Sequence, residues 1–354
     1  MNWFKRGPKK TVEEKKPGGS SLEIPPRDAS MELEHFAQHS AERAMPTELA
    51  DLFLVMEEHL NELELDDIRV IVSELQQPPA LVDRLTHGLD DPEELHEAIL
   101  SSPSLSADVL RVVNSAAFAL ANPISSIEHA VTYLGTTMVK GLVLQSAVTQ
   151  VMTFETDVQK AAYTRIWKSS YVASTAAHIY AQALNYEFPS ILATRALLCN
   201  VGDLALISAR PELSVIYAPK TELITRVSDQ QREFMANSAV LSSLLARHWG
   251  LPDDLYDALR HALTPLGIAP QDNQRSREEQ REDVIVYLAG RVGDAVAYRG
   301  VKDIEDFELL EQSSADFFHL PDYLRQNELG ALVHTLNERK NARRLQQVMN
   351  SFSG

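Results

Sequence analysis

Residues 192–206 read LATRALLCNVGDLAL, and this stretch decides the fold. It is apolar enough to form a buried helix, yet four polar or reactive side chains lie along it: Arg195, Cys199, Asn200 and Asp203. Gly202 has no Cβ atom and lets another part of the chain approach the backbone closely. The stretch therefore predicts a core helix that carries a cluster of chemically distinctive groups.

Helix signals also dominate the chain before this stretch. Asp91-Pro92 supplies an N-cap and a proline at the first helical position, which predicts a helix to about Leu100. Three further helices are predicted, from Ser104 to Asn114-Ser115, from a Ser125/Glu128 capping box to Gly135, and from Thr137 to about Val151. No long run alternates with period two, so the predicted fold is all-α, a helical bundle with a short N-terminal helical extension.

The N-terminal region divides into a tail and an extension. Residues 1–30 are rich in Lys, Pro, Gly and Ser and predict a disordered basic tail. Residues 31–77 are acidic, with twelve Asp/Glu and two Lys/Arg up to residue 75. Apolar positions at three- and four-residue spacing predict one helix there, and Asp66-Asp67 predicts the start of a second: Leu49, Leu52, Phe53, Met56, Leu60, Leu63. Its acidic face is either a docking surface for a basic partner or a solvated helix face.

Pro78-Pro79 marks the predicted start of the main domain, residues 78–300. Within it, the polar run 271–283 has no apolar anchor and predicts a mobile loop before a helix from Val284 to Val296. Residues 301–354 are predicted to form C-terminal helices that pack on this domain or extend it. An amphipathic pair is expected from about Ala315 to Val348.

Composition limits the classes of function. The formal net charge of −17 argues against nucleic acid and anionic membrane as partners, because phosphate-binding proteins need basic surface. The single cysteine excludes an internal disulfide framework and fits a reducing compartment. No apolar run approaches the roughly 18 residues of a membrane-spanning helix, so no membrane insertion is expected. These features predict a cytoplasmic protein.

Several ordered motifs resemble the HDOD domain, the HD-related output domain of bacterial signalling proteins. They are an Asn-Ser pair at 114–115, the helix SIEHAVTYLG at 126–135, and Leu142 to Leu144. Trp167 with the Ala-rich run after it, residues 192–206, and the Trp-Gly-Leu-Pro turn at 249–252 continue the resemblance, which covers about residues 78–300.

The resemblance implies where a metal site would lie. Enzymes of the HD superfamily hold a divalent metal with a His, an adjacent His-Asp pair and a later Asp, and the metal activates a water for attack on a phosphate. Mapped by motif, these positions are Ser169, then Cys199 and Asn200, then Gly290 after Ala289. None offers an imidazole or a carboxylate. We expect no cofactor and no catalytic residue here.

Other side chains remain candidates for lining the vacated cavity. Asp203 and Asp294 each lie one turn beyond a mapped position, and a turn moves a ligand by about 5 Å along the helix. His261 falls where many HDOD proteins have a His-His pair. It is either a pocket residue or a hydrogen-bonded packing residue.

The resemblance implies a non-catalytic output or adaptor protein that binds other signalling proteins, whose identity the sequence does not specify. The chain has no receiver, GGDEF or EAL motif of its own. The alternatives are a metal-dependent phosphohydrolase or phosphodiesterase, and a nucleotide sensor that uses the vacated cavity. The sequence predicts no particular oligomeric state.

Overall fold

Helices form the regular secondary structure of the described part of the chain, which contains no β-strand. The computed structural model describes residues 44–75, 91–101, 103–114, 123–307, 309 and 312–350. The predicted tail, residues 1–30, and the Pro78-Pro79 boundary lie outside the described residues. The all-α prediction is confirmed.

The N-terminal extension differs from its prediction. Helix α1, Thr47–Ala50, has four residues, and an extended segment and a 3₁₀ turn, Glu57–His59, follow it. The predicted continuous helix through Leu63 is therefore wrong. Helix α2, Glu62–Glu74, begins at the cap Asn61 and not at Asp66-Asp67, because the Asn61 side chain accepts from the backbone N–H groups of residues 63 and 64.

Four helices open the main domain, and their bounds agree closely with the helix signals. They are α3, Pro92–Leu100; α4, Pro103–Val113; α5, Ile127–Leu134; and α6, Thr136–Val151. Asp91 caps α3 as predicted. The cap of α5 is Ser126 and not the predicted Ser125, since the Ser126 hydroxyl accepts from the N–H of His129.

The centre of the fold is the long helix α7, Asp157–Ala183, whose Thr156 cap and Gln159 form a capping box. It packs most extensively against α14, Arg277–Ala297, and next against α8, Pro189–Leu198. The remaining helices of this region are α9, Val201–Ala209; α10, Leu223–Phe234; α11, Ser238–His248; α12, Asp253–Arg260; and α13, Thr264–Gly267.

The predicted loop at residues 271–283 is wrong over its second half. Helix α14 begins at Arg277, because Ser276 and Glu279 form a capping box that starts the helix seven residues before Val284. The C-terminal region forms three short helices and not one long pair: α15, Leu320–Gln326; α16, Leu332–Thr335; and α17, Arg339–Asn350.

Residues 192–206 form parts of two helices, with the break at Cys199-Asn200. Gly202 lets α9 and α11 approach closely, since a Cβ atom there would lie 2.5 Å from the Ser238 carbonyl oxygen. The segment Pro189–Ala209 is long and apolar enough to pass for a membrane span, contrary to the sequence expectation, but 72% of its most apolar window is buried inside the protein.

Candidate functional site

The crossing of α7 and α14 brings two candidate residues together. The Ser169 hydroxyl on α7 donates a 2.7 Å hydrogen bond to Oδ1 of Asp294 on α14. Gly293 makes this approach possible, because a Cβ atom on it would lie 2.3 Å from the Ser169 carbonyl oxygen. Asp294 therefore reaches the position where the resemblance places the first histidine of a metal site.

Two buried arginines occupy the other side of the Asp294 carboxylate. Arg226 of α10 forms a hydrogen-bonded ion pair with Oδ2, and Nη1 of Arg291 lies 3.2 Å from the same oxygen. The Arg226 guanidinium also lies 4.0 Å from the centre of the Tyr298 ring. Burial alone would raise the pKa of Asp294, but the two guanidinium groups outweigh it and hold the pKa below its ordinary value.

The same network extends to the C-terminal region through Asp316. Its carboxylate accepts from the N–H groups of Leu223 and Ile224 at 2.9 and 2.8 Å, the first two residues of α10. Arg291 lies 3.5 Å from Oδ2 of Asp316. Asp316 thus stabilises the positive N-terminal end of α10 and also forms an ion pair with Arg291.

Three of the four mapped positions line one small cleft. Cys199, Asn200 and Gly290 face it together with Arg291, whereas Ser169 lies on the Asp294 side and is not part of its lining. The cleft offers about 30 Å³ to solvent, enough for one or two water molecules. Most of the positions mapped by motif therefore lie together in the structure, and the cleft between them is nearly filled by protein atoms.

Hydrogen bonds between side chains and backbone or neighbouring side chains hold the break between α8 and α9. Asn200 Nδ2 donates to the Ser170 hydroxyl at 3.0 Å, and the Ser242 hydroxyl donates to the Cys199 carbonyl at 2.9 Å. Burial raises the pKa of the Cys199 thiol to about 12, so the thiol stays protonated at neutral pH.

Asp203 lies in a separate polar contact. Its Oδ1 accepts from the Tyr217 hydroxyl at 2.8 Å and from Gln230 Nε2 at 2.7 Å. Burial raises its pKa to about 6, although these hydrogen bonds and the charge of Arg226 act in the opposite direction. Asp203 thus has one oxygen committed to two protein donors.

His261 belongs to a different cluster from the cleft residues. Its Nδ1 lies 2.9 Å from the Asp257 carbonyl oxygen and 2.8 Å from Nη1 of Arg275. Arg275 also contacts Asp283 at 2.7 Å. Burial lowers the pKa of His261, and the charge of Arg275 adds to this effect. The packing interpretation of His261 is the one that these contacts favour.

The residues present do not fit the divalent metal of the HD superfamily. Both oxygens of Asp294 already accept from Ser169 or pair with arginine, and two guanidinium groups beside it repel a cation. In the part of the chain that the structure describes, no group of three or more His, Cys, Asp or Glu side chains is placed to share a metal ion. No reaction step through a metal follows from this geometry.

Sequence reasoning missed the two arginines. Arg226 lies on the buried face of α10 with Leu223, Val227 and Gln230, so an arginine at an apolar helix position was the available signal. Arg291 follows Gly290 in a helix that is buried over most of its surface. A charged residue at a core position needs a partner, and that partner is Asp294.

Comparison with known proteins agrees with the resemblance noted in the sequence. The family model of the HDOD domain matches residues 75–265, more than half of the chain. No curated protein sequence is significantly similar to the chain.

Three solved structures share the fold. A candidate phosphohydrolase from Shewanella amazonensis SB2B is 19% identical with a TM-score of 0.52, covering 81% of this chain and 97% of its own. An HDOD domain protein of unknown function from Geobacter sulfurreducens is 18% identical with a TM-score of 0.52, covering 81% and 98%. A candidate signal transduction protein from Marinobacter aquaeolei VT8 is 18% identical with a TM-score of 0.51, covering 92% and 67%.

Proposed function

Because this chain belongs to the HDOD domain family, we propose that it is a non-catalytic output or adaptor protein of bacterial signalling. It acts in the cytoplasm by binding other signalling proteins. The proposal takes the domain as a scaffold whose former metal site now serves packing and not chemistry.

The observation that carries the proposal is the pairing of Asp294 with Arg226 and Arg291. In an HD enzyme, a divalent cation supplies about two positive charges among carboxylates and imidazoles. In this chain, two guanidinium groups supply positive charge next to the Asp294 carboxylate at the α7–α14 crossing. An internal ion pair of this kind holds the helices in one arrangement and leaves no Lewis acid to activate water.

The small cleft beside Cys199 and Asn200 argues against the nucleotide sensor. Ligand pockets for small molecules hold about 300–1,000 Å³, and this cleft offers about 30 Å³. A nucleotide would have to displace Arg291 or the break between α8 and α9. Binding of another protein at the surface requires no rearrangement of these interior residues.

The test of the proposal is metal content and hydrolysis measured on the same protein. Full-length protein is purified, analysed for bound metals, and assayed with added Mn²⁺ against nucleotides and cyclic dinucleotides. We expect less than one tenth of a metal ion per chain and no turnover above the level of buffer. Protein crosslinked in its native cells is expected to carry signalling proteins.

Two variants make this test selective. Stoichiometric metal, with turnover that is lost in Asp294→Ala or Asp203→Ala, would overturn the proposal in favour of a phosphohydrolase. Asp229→Ala is the matched control, since Asp229 lies on α10, as Arg226 does, but pairs with the exposed Arg232 of the same helix. Turnover that all three variants retain would point to a contaminating enzyme and would leave the protein non-catalytic.

A further inference from the structure

An extended segment of the N-terminal extension, followed by the first two residues of the 3₁₀ turn Glu57–His59, lies across the main domain. We call residues 52–58 the strap. Buried and exposed side chains alternate along it. Leu54 and Met56 are each only 6% exposed, whereas Phe53, which precedes Leu54, is 65% exposed. The strap therefore buries one side of an extended chain and leaves the other side in solvent.

Two amide side chains of the main domain bind the strap backbone. The N–H of Val55 donates to Gln231 Oε1 at 2.9 Å, and Gln231 Nε2 donates back to the Phe53 carbonyl at 2.8 Å. Asn237 Nδ2 donates to the Val55 carbonyl at 2.7 Å. Because these hydrogen bonds involve main-chain groups, any extended segment could form them, whatever its side chains.

A specific apolar position accompanies the backbone contacts. Leu54 lies directly on Gly267 of α13, where a Cβ atom would be 3.0 Å from the Leu54 Cβ atom. Because Gly267 has no side chain, Leu54 packs against α13 at this point without having to shift. The segment that occupies this position needs a branched or long apolar side chain, which Leu54 provides.

The far end of the strap is held by charge. Glu57 pairs with Arg247 at 3.0 Å and accepts from the Tyr256 hydroxyl, and Glu58 pairs with Arg260 at 2.5 Å. We call the surface that receives the strap the groove, and its residues are Gln231, Asn237, Arg247, Tyr256, Arg260 and Gly267. Two consecutive carboxylates after the apolar positions match the two arginines of the groove.

The strap and the groove differ in their relation to the family. The family match begins at residue 75, after the strap, and it includes the hydrogen-bonding and charged residues of the groove. The domain core therefore carries the groove, and a segment outside the matched core covers it. A segment that covers a peptide-binding surface of its own chain competes with a partner's peptide for that surface.

We propose that the groove binds an extended acidic segment of a partner signalling protein, and that the strap occupies the groove until that segment displaces it. The partner segment has two apolar side chains at alternate positions followed by two carboxylates, as the strap has at 54 and 56 and at 57 and 58. This inference rests on the proposed function in taking the ligand to be a protein. A tethered strap competes at an effective concentration of about millimolar, so isolated peptides bind only when the strap is loosened.

The test uses full-length protein and a fluorescein-labelled peptide of residues 51–60, DLFLVMEEHL. Leu54→Asn with Glu57→Lys loosens the strap by removing its apolar anchor and placing a lysine beside Arg247. We expect this variant to bind the peptide at least tenfold more tightly than the natural chain, as measured by fluorescence anisotropy. Phe53→Ala is the matched control, because it alters the exposed side of the strap and should leave the groove covered.

Specificity is tested with a second peptide and a groove variant. The peptide with Glu57→Lys, or the loosened protein with Arg247→Glu added, should bind at least tenfold more weakly. A folded, loosened protein that binds neither peptide, or both equally, overturns the inference. If that variant does not fold, Glu57→Lys alone is judged by the same criteria, since it keeps Leu54 and Met56.

Two other outcomes have defined meanings. A loosened protein that elutes as a dimer and binds no peptide assigns the groove to the strap of a second copy, which overturns the assignment to a partner protein. Metal-dependent turnover together with peptide binding would overturn the proposed function and keep the groove. The failure of one proposal is therefore distinguishable from the failure of the other.

Discussion

Gly293 lies so close to Ser169 that no side chain fits between them: a Cβ atom on Gly293 would be 2.3 Å from the Ser169 carbonyl oxygen. This contact sets the distance between α7 and α14, the most extensive helix pair of the domain. Because the neighbouring atom is backbone, a side chain at 293 has to push the helices apart and cannot be accommodated by a rotamer change.

We therefore expect Gly293→Ala to lower the free energy of unfolding by about 3 kcal/mol. Gly290→Ala is the control on the same helix, since a Cβ atom there has no neighbour within 4 Å. An alanine in an open helix position is expected to raise the free energy of unfolding by about 0.5 kcal/mol. Urea denaturation measures both, and equal effects would contradict the close crossing.

Asp294→Asn is expected to destabilise the protein by about 3–5 kcal/mol, because it leaves the buried Arg226 without its ion-pair partner and Arg291 with only Asp316, at 3.5 Å. Asp229→Asn breaks an ion pair with the exposed Arg232 and should cost less than about 1 kcal/mol. Urea denaturation at neutral pH compares the two. A small effect at Asp294 would mean that solvent reaches the arginines.

Asp203 should make stability depend on pH. Its folded-state pKa of about 6 lies above the ordinary value, so the folded protein keeps a proton that the unfolded chain has released. The stability from this group is present below about pH 4 and is lost as the pH rises through 6. Between pH 5 and 7.5, the natural protein should lose about 1 kcal/mol relative to Asp203→Asn.

The measurement is urea denaturation of both proteins at the two pH values. Asp283, whose burial raises its pKa to about 7, contributes a similar trend. That contribution is common to both proteins and cancels in the difference between them. Stability curves that stay parallel would show that Asp203 is ionised in the folded protein.

The strap predicts a contrast between neighbouring residues. Leu54→Ala removes a side chain that is 6% exposed and is expected to cost about 2–4 kcal/mol, whereas Phe53→Ala removes one that is 65% exposed and should cost less than about 0.5 kcal/mol. Amide hydrogen exchange at Val55, which is bonded to Gln231, reports docking of the strap directly. Slow exchange at Val55 in Leu54→Ala would contradict the role of this side chain.

The sequence predicted the helices that begin with local caps, because an N-cap and its partner three residues on are readable without tertiary structure. The Asp91 N-cap is of this kind, and Gly135, predicted to close a helix, is its C-cap. The positions 199, 200 and 290 were located instead by the resemblance to the HDOD domain, and the structure places them at one cleft. The Ser276/Glu279 capping box was equally readable, but the polarity of the run around it obscured the start of α14.

The strap could not be predicted in the same way. Leu49, Leu52, Phe53 and Met56 have helical spacing, but Leu52, Leu54 and Met56 also have the period of an extended chain. Contacts with residues more than 170 positions away, such as Gln231 and Asn237, decided between the two. The partners of Arg226 and Arg291 depend on contacts between helices in the same way, so residue spacing alone did not reveal them.

Asp316 has a consequence for the biosynthesis of the protein. The first N–H groups of α10 are satisfied by a carboxylate more than ninety residues further along the chain. On the ribosome, residues 223–234 are synthesised well before Asp316, so the first N–H groups of this helix lack the Asp316 carboxylate until more than eighty further residues have been added. We expect a chain truncated after residue 300 to be unable to complete its core, and we therefore expect the folding unit to extend beyond residues 75–265, which the family model matches.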